Sequence, residues 1–433
     1  MSTNIQQQNY SKPLISRHYP TLLISLCTLF LFYKYLLQIS PSVMTSELMT
    51  SFHLEGAGLG NLAATFFYSY FIMQIFAGPM LDRFNARYLA SGAIAISAMG
   101  TIVFANAYSL GLAEIGRSLM GAGAAFATVT YLKVTADYFP PERFAFISGL
   151  LPTGVMIGAA IGGGPLAKLV ESTGWRHSLL ICALIGLLIA SCFFVFMRSN
   201  PKSATINQRK PTKLTLKDYL SVLTQPSNWC LTLYSGFAFA PLAVFSGLWG
   251  QPFLQIAYHL SSAHAASLAT LGFIGFGFGG PAFGYFADKT KRPVLSMILG
   301  GMVSLISLII VIYLAPTLIL LSIFIFIFGF GVGAFMLGFA FAKNLNSLFL
   351  VGTVIAMINT GDALCGALSE PLIGYLLDLG WKGQQLNGAP VFSTHDYKHA
   401  FLILPVYILL SLVFLWLAQR LEKSKQIKKG ADT

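Results

Sequence analysis

Three ionisable residues stand well inside long apolar runs: Lys34, Arg117 and Asp362. A charge placed in hydrocarbon costs about 2.5–3.5 kcal/mol on insertion scales, so each is expected to face protein and to carry function. Lys34 is flanked by Tyr33 and Tyr35 and lies one turn from Gln38, a set suited to receiving a carboxylate, although a structural lysine paired with an acid fits the same position. Arg117 offers a planar fork for bidentate carboxylate binding, or it pairs with Glu114 three residues earlier on its own helix face. Asp362 is the candidate proton carrier. A low-dielectric cavity favours the neutral form of a carboxyl group, so the group can load and release a proton. A permanent salt bridge between parts of the chain is the plainer alternative for Asp362. Glu370, two turns further along, is a second coupling candidate, with a place in an outer vestibule as its other reading.

These residues need long apolar helices to position them. The chain has 433 residues, 55% hydrophobic and only 10% charged, with a mean hydropathy of +0.70. A soluble domain carries about 25% charged residues, so a soluble protein is excluded. With about 20 apolar residues needed per crossing, the expected spans are 21–40, 58–80, 89–108, 110–135, 146–169, 178–197, 229–253, 264–286, 294–314, 317–341, 350–376 and 400–419. At 1.5 Å per residue, Lys34 and Asp362 each lie roughly 18 Å above the inner ends of their helices, and Arg117 roughly 20 Å. Three charges from three helices are therefore expected at one depth.

The formal charge of +12 is distributed in a way that argues against nucleic acid. Lys12, Arg17, Arg83, Arg87, Arg143, the cluster Arg198 to Lys217, Lys289, Lys291, Arg292 and the tail from Arg420 fall in every second connection. That alternation predicts both termini in the cytoplasm. The polar start, Met1 to Ser16, lacks the features of a cleaved signal, so the first span is expected to act as its own insertion signal. The five cysteines lie in apolar runs and read as small buried hydrophobes, and the histidines lack metal spacing, so no metal or cofactor is expected. Trp249 and Trp381 are expected as anchors at the outer interface.

The chain also repeats itself. Gly78-Pro-Met-Leu-Asp82-Arg83 recurs as Gly284-Tyr-Phe-Ala-Asp288-Lys289, Pro165-Leu166 as Pro371-Leu372, and Gly174-Trp175-Arg176 as Gly380-Trp381-Lys382, all at an offset of 206. The division is an N-terminal six-helix half (1–197), a cytoplasmic linker (198–222) and a C-terminal six-helix half (223–433). Leu214 to Leu223 is a candidate surface helix. Parallel halves of this kind form a solute site between them near the midplane.

The string from Gly78 through Asp82 and Arg83 to Arg87 resembles the loop between helices 2 and 3 of the major facilitator superfamily. Arg117 with Gly121, and the stretch Gly158 to Pro165, are similar to that family's motifs in helices 4 and 5. Within it, Phe245 to Leu254 looks like the nutrient and siderophore transporters of intracellular gammaproteobacteria, and the Asp82-Arg83 loop like the anion:cation symporters. The resemblance implies an all-α membrane fold of twelve helices in two pseudo-symmetric halves. It also implies a cytoplasmic gate latch at Asp82, Arg83 and Arg87, repeated more weakly at Asp288, Lys289 and Arg292. Arg117 would be a structural or coupling arginine. Glycine faces at Gly158 to Gly162, Gly275 to Gly279 and Gly329 to Gly333 suit helices that slide between the halves.

No phosphate-binding loop is present, so ATP is not the direct energy source, and no nucleophile, base or metal set gathers at one depth as an enzyme would need. The expected activity is proton-coupled import of a small carboxylate-bearing solute, an amino acid, peptide or organic acid, by alternating access. Proton-driven export of a drug, metabolite or siderophore is the alternative. The expected setting is a monomer in a bacterial inner membrane, with solute, protons and lipid as its partners.

Overall fold

The computed structural model describes residues 18–140, 143, 147, 150–197, 216–346 and 350–431. Lys12, Arg17, the linker residues 198–215 and the side chain of Asp82 lie outside the described residues. Among the described residues, eleven helices are long and apolar enough to cross a membrane. In chain order the helices are α1 (Tyr19–Ile39), α2 (Gly56–Arg83), α3 (Ala86–Ala105), α4 (Leu110–Tyr138), α5 (Leu151–Thr173), α6 (Trp175–Phe196), α7 (Pro226–Tyr258), α8 (Ser262–Thr290), α9 (Pro293–Tyr313), α10 (Leu318–Ala342), α11 (Val351–Gly380) and α12 (Thr394–Ser424). The one added to the eleven is α11, whose 30 residues carry Asp362, Glu370 and Asp378. The architecture is all-α, as read from the sequence. A short helix, Leu216–Leu223, precedes α7.

Local sequence explains where these helices depart from regularity. Pro20 opens α1 at a position where its missing N–H costs nothing, and Ser40-Pro41 converts the end of that helix into a 3-10 turn. Gly163 breaks α5 just before Pro165, whereas α11 runs straight through the matching Pro371. The repeat is therefore stronger in sequence than in backbone. In α7, Pro241 is followed by a π turn over Phe245–Trp249, and α10 passes through a 3-10 turn at Gly333–Met336. Such turns bend a helix by changing its hydrogen-bond ladder.

Within the N-terminal half α3 packs on α4 and α6, α2 on α4, and α1 on α5. Within the C-terminal half α8 packs on α10, and α7 on α11 and α12. The halves meet where α2 contacts α11 and α5 contacts α8. Most of the glycine faces serve packing inside a half. Gly275 and Gly279 of α8 lie against the backbone of Phe326 and Phe330 of α10, and Gly158 lies against α1. Gly277 differs, because it faces Met156 of α5 across the seam.

The two ends of the seam are unlike. At the end expected to face outward, Gly56 and Gly60 of α2 stand so close to Gly374, Glu370 and Pro371 of α11 that no Cβ would fit between them. Asp378 adds two hydrogen bonds, accepting from the Gly56 and Ala57 amides at 2.6 and 2.7 Å. Above them a two-stranded hairpin, Gln385–Leu386 with Ala389–Pro390, reaches the helix Thr45–Phe52, where Thr50 donates to the Asn387 carbonyl. At the opposite end, expected to face the cytoplasm, Gly78 of α2 and Gly284 of α8 have nothing within 4 Å of a Cβ position. The halves are sealed at the Gly56 and Gly60 end and leave open space at the Gly78 and Gly284 end.

Candidate functional site

Residues on α1 diverge by about 100° per position, and this separates neighbours that sequence adjacency had grouped. Lys34 turns to the seam between the halves and is 6% exposed. Its ammonium donates to the Tyr70 hydroxyl of α2 at 3.3 Å and lies 4.5 Å from the ring centres of both Tyr35 and Tyr70. Cation–π contacts of this kind contribute about 2 kcal/mol when desolvated. No ion pair reaches Lys34 among the described residues. Tyr33 points the other way. It is fully buried against Gly186 of α6, with its hydroxyl 3.5 Å from that of Thr101 in α3. That corrects the expected grouping: Tyr33 belongs to the core of the N-terminal half.

Tyr35 is the link across the seam. Its ring meets Phe273 of α8 edge-on, 6.4 Å between centroids. Asp362 of α11 approaches the same space from the C-terminal half, buried and within electrostatic range of Tyr35 and Tyr234. The Ser235 hydroxyl of α7 lies beside the Asp362 carboxyl group and interacts with it. Lys34 and Asp362 therefore come from opposite halves, on either side of Tyr35, without forming an ion pair. Gln38 is buried one turn beyond Lys34.

Arg117 sits further out and is fully buried. Its guanidinium donates to the Leu37 carbonyl of α1 at 2.8 Å and the Ala63 carbonyl of α2 at 3.1 Å, and packs over Phe66 at 5.1 Å. Those bonds turn the guanidinium toward backbone, so it binds three helices of one half together and is not presented to a solute. Glu114 is not its partner but accepts from Asn61 at 3.3 Å. The charge that Arg117 does feel is Glu370, on α11 of the opposite half. Glu370 is 3% exposed, with Oε2 unpartnered, and its carbonyl accepts from the Trp249 indole at 3.0 Å. Glu370 thus lies within the outer seal and not in an open vestibule, and Trp249 is a buried cross-helix bond and not an interfacial anchor. Phe66 stacks on Tyr70 at 6.3 Å, so a continuous run of cations and rings leads from Arg117 through Phe66 and Tyr70 to Lys34, Tyr35 and Phe273.

The expected gate residues lie at the inner end. Arg83, Asp288, Lys289 and Arg292 are exposed and form no ion pair among the described residues. Arg87 covers the Phe194 ring at 4.6 Å, and Lys133 pairs with Asp137 at 3.8 Å nearby. Sequence reasoning missed Asp378, Gly56, Gly60 and Ser235, because nothing in their local pattern says which helix they meet.

Comparison with known proteins fits this geometry. The profile of the Major Facilitator Superfamily matches residues 22–370 and 242–432. The chain is 25% identical over 267 residues to the hexuronate transporter of Bacillus subtilis (strain 168), covering 60% of this chain and 63% of that protein. It is 24% identical over 273 residues to the probable L-galactonate transporter of Escherichia coli (strain K12), covering 59% and 58%. It is 24% identical over 215 residues to the 4-hydroxybenzoate transporter PcaK of Pseudomonas putida, covering 49% and 47%. The matches thus span less than two thirds of these relatives. A bacterial homolog of the human lysosomal transporter Spinster, solved inward-facing and unoccupied, superimposes with a TM-score of 0.77 at 18% identity, covering 94% of this chain and 98% of that one. The nucleoside transporter NupG superimposes with a TM-score of 0.70 at 14% identity, covering 92% and 99%.

Proposed function

The chain belongs to the major facilitator superfamily of membrane transporters, and from that premise we propose that it imports a small organic anion together with protons by alternating access. One observation carries the reading: a lysine ammonium is buried at the seam of two halves, framed by two tyrosine rings and lacking a carboxylate partner. A solute carboxylate completes that environment. A charge-assisted hydrogen bond there contributes about 1.5–3 kcal/mol, and the Tyr35 and Tyr70 faces suit a compact ring or chain beside it. The named relatives carry hexuronate, 4-hydroxybenzoate and, as a probable substrate, L-galactonate, all carboxylates. This favours organic acids over amino acids and peptides within the class expected from sequence.

Asp362 is assigned the proton. It is buried on the C-terminal side of the seam beside Ser235, and among the described residues no cation pairs with it, so its protonation state responds to the filling and emptying of the site. Glu370 is the secondary candidate, and its position beside Arg117 ties it to outer closure more than to solute. Asp82, Arg83 and Arg87, with Asp288, Lys289 and Arg292, are assigned the inner latch, which engages when the inner ends approach. The setting proposed is a bacterial inner membrane with both termini cytoplasmic.

The test is a thermal-shift screen of the purified protein against hexuronates, aldonates, aromatic acids, amino acids and neutral sugars. A ligand that binds only the folded state raises its apparent stability. Shifts with organic acids that disappear in Lys34→Ala support the assignment. Shifts with neutral sugars alone, or with acids equally in Lys34→Ala, refute the lysine contact. Shifts confined to bulky hydrophobic cations replace the importer by the exporter.

A further inference from the structure

A polar cavity of about 90 Å³ opens at the outer face between the halves. The N-terminal half supplies Ser46 and Glu47 from the segment after α1, and Glu171 from the outer end of α5. The C-terminal half supplies Gln251 and Gln255 from α7 and Ser262 from α8. None of these residues belongs to the Lys34 and Asp362 site or to the inner latch.

Gln251 decides what the cavity can hold. The residue is 2% exposed, and its Nε2 donates to Gln255 Oε1 at 2.9 Å and to Ser262 Oγ at 3.1 Å. Both amide donors are therefore spent. With Gln255 Oε1 accepting from Gln251 Nε2, the oxygen of Gln251 is the end left over. Gln251 Oε1 is left buried with no partner. A buried acceptor left bare is costly, so the site calls for a donor or a cation. The rest of the wall agrees: it adds the carboxylates of Glu47 and Glu171 and the serine hydroxyls, and Ser46 already donates to Glu47 at 3.0 Å. No lysine or arginine lines the cavity. Lys168, one turn before Glu171 on α5, is exposed and forms no ion pair with it.

We propose that this cavity is an external cation-binding site that takes a hard divalent cation with part of its hydration shell. The donor set is all oxygen, which suits calcium or magnesium and excludes softer metals. The volume exceeds that of a bare ion and accommodates about three waters at roughly 30 Å³ each. Two carboxylates and a single rigid carboxamide make a sparse site, in the range of extracellular modules, with Kd about 10⁻⁴–10⁻³ M. The ligands come from both halves on the side that is sealed in this structure. A bound cation therefore bridges the seam and holds the outer end shut, so external divalent ions slow the opening to the outside.

The experiment uses the full chain in detergent, titrated with calcium chloride and magnesium chloride, with choline chloride matched for ionic strength. A saturable rise in the unfolding temperature is expected, half complete at about 0.1–1 mM. Gln251→Leu and the double variant Glu47→Gln with Glu171→Gln should each raise that midpoint at least about tenfold. The double variant changes only partly or fully exposed side chains, so it remains informative if Gln251→Leu fails to fold. Absence of a saturable shift below about 10 mM, an equal shift with choline, or a wild-type midpoint in the double variant would overturn the proposal. A saturable shift with methylammonium but with neither metal would overturn the metal and assign the cavity to an amine.

Discussion

If the outer seal is what holds the halves in this conformation, a single added side chain at its tightest point should tip the carrier the other way. At Gly60 a Cβ would stand 2.6 Å from Pro371 Cα and 2.7 Å from the Glu370 carbonyl carbon. Carbon atoms in ordinary contact sit at about 3.5–4.0 Å, so Gly60→Val must push α2 from α11 by roughly 1 Å. Overpacking of that size costs about 1–3 kcal/mol. Only the outer-closed state bears the cost, since the clash disappears when the outer ends separate. The equilibrium between the two states should then shift by roughly 5- to 150-fold toward outward-facing. The assay places a cysteine at Thr270, which lies buried against Gly163 in the outer seam, in a background lacking the five native cysteines. A membrane-impermeant maleimide is applied from outside. Labelling should accelerate by that factor in Gly60→Val while net transport falls and the unfolding temperature changes little. In the control Gly78→Val, where a Cβ meets nothing within 4 Å, labelling should not rise. Wild-type labelling and transport in Gly60→Val would refute the argument that the outer seam sets the conformation.

Asp362→Asn should abolish uphill uptake driven by a proton gradient while leaving solute exchange measurable in proteoliposomes; intact gradient-driven uptake would reassign the proton. Arg117→Leu removes two charge-assisted hydrogen bonds, to the Leu37 and Ala63 carbonyls, each contributing about 1.5–3 kcal/mol, so the unfolding temperature should drop markedly, and Arg117→Lys should not restore it because an ammonium lacks the fork. A wild-type melting profile in Arg117→Leu would show the two bonds to be unimportant. Arg83→Ala with Lys289→Ala should lower transport without lowering solute affinity in binding assays, because the latch acts when the inner ends close; a loss of affinity instead would move these residues to the solute path.

Most of the fold was legible because hydrocarbon permits so few backbone solutions. Apolar runs placed the helices to within a few residues, and the recurrence of Gly78 to Arg83 at Gly284 to Lys289 divided them into halves. Burial of Lys34, Arg117 and Asp362 was likewise legible, since an isolated charge has nowhere else to go. Which groups they meet was not. Tyr33 and Tyr35 are equivalent in sequence, and only the helix rotation sends one to Gly186 and the other to Phe273. Arg117 bonds to backbone carbonyls, which every residue possesses and no pattern reveals. The broken α5 beside the continuous α11 shows why a shared proline does not guarantee a shared bend. Gly163 supplies the break in the first half, and Ser369 stands at the repeat offset from it in the second.

Asp378 makes the two conformations unequal. It lies two residues from the C-terminal end of α11, where the partial negative charge of the helix disfavours a carboxylate, and it rests on the first amides of α2, where the partial positive charge favours one. Parting the outer ends removes the second environment and leaves the first. An unloaded carrier should therefore idle toward the cytoplasm. For an importer this makes the return of the vacant protein the slow half-cycle, so labelled solute should swap across the membrane faster than it accumulates.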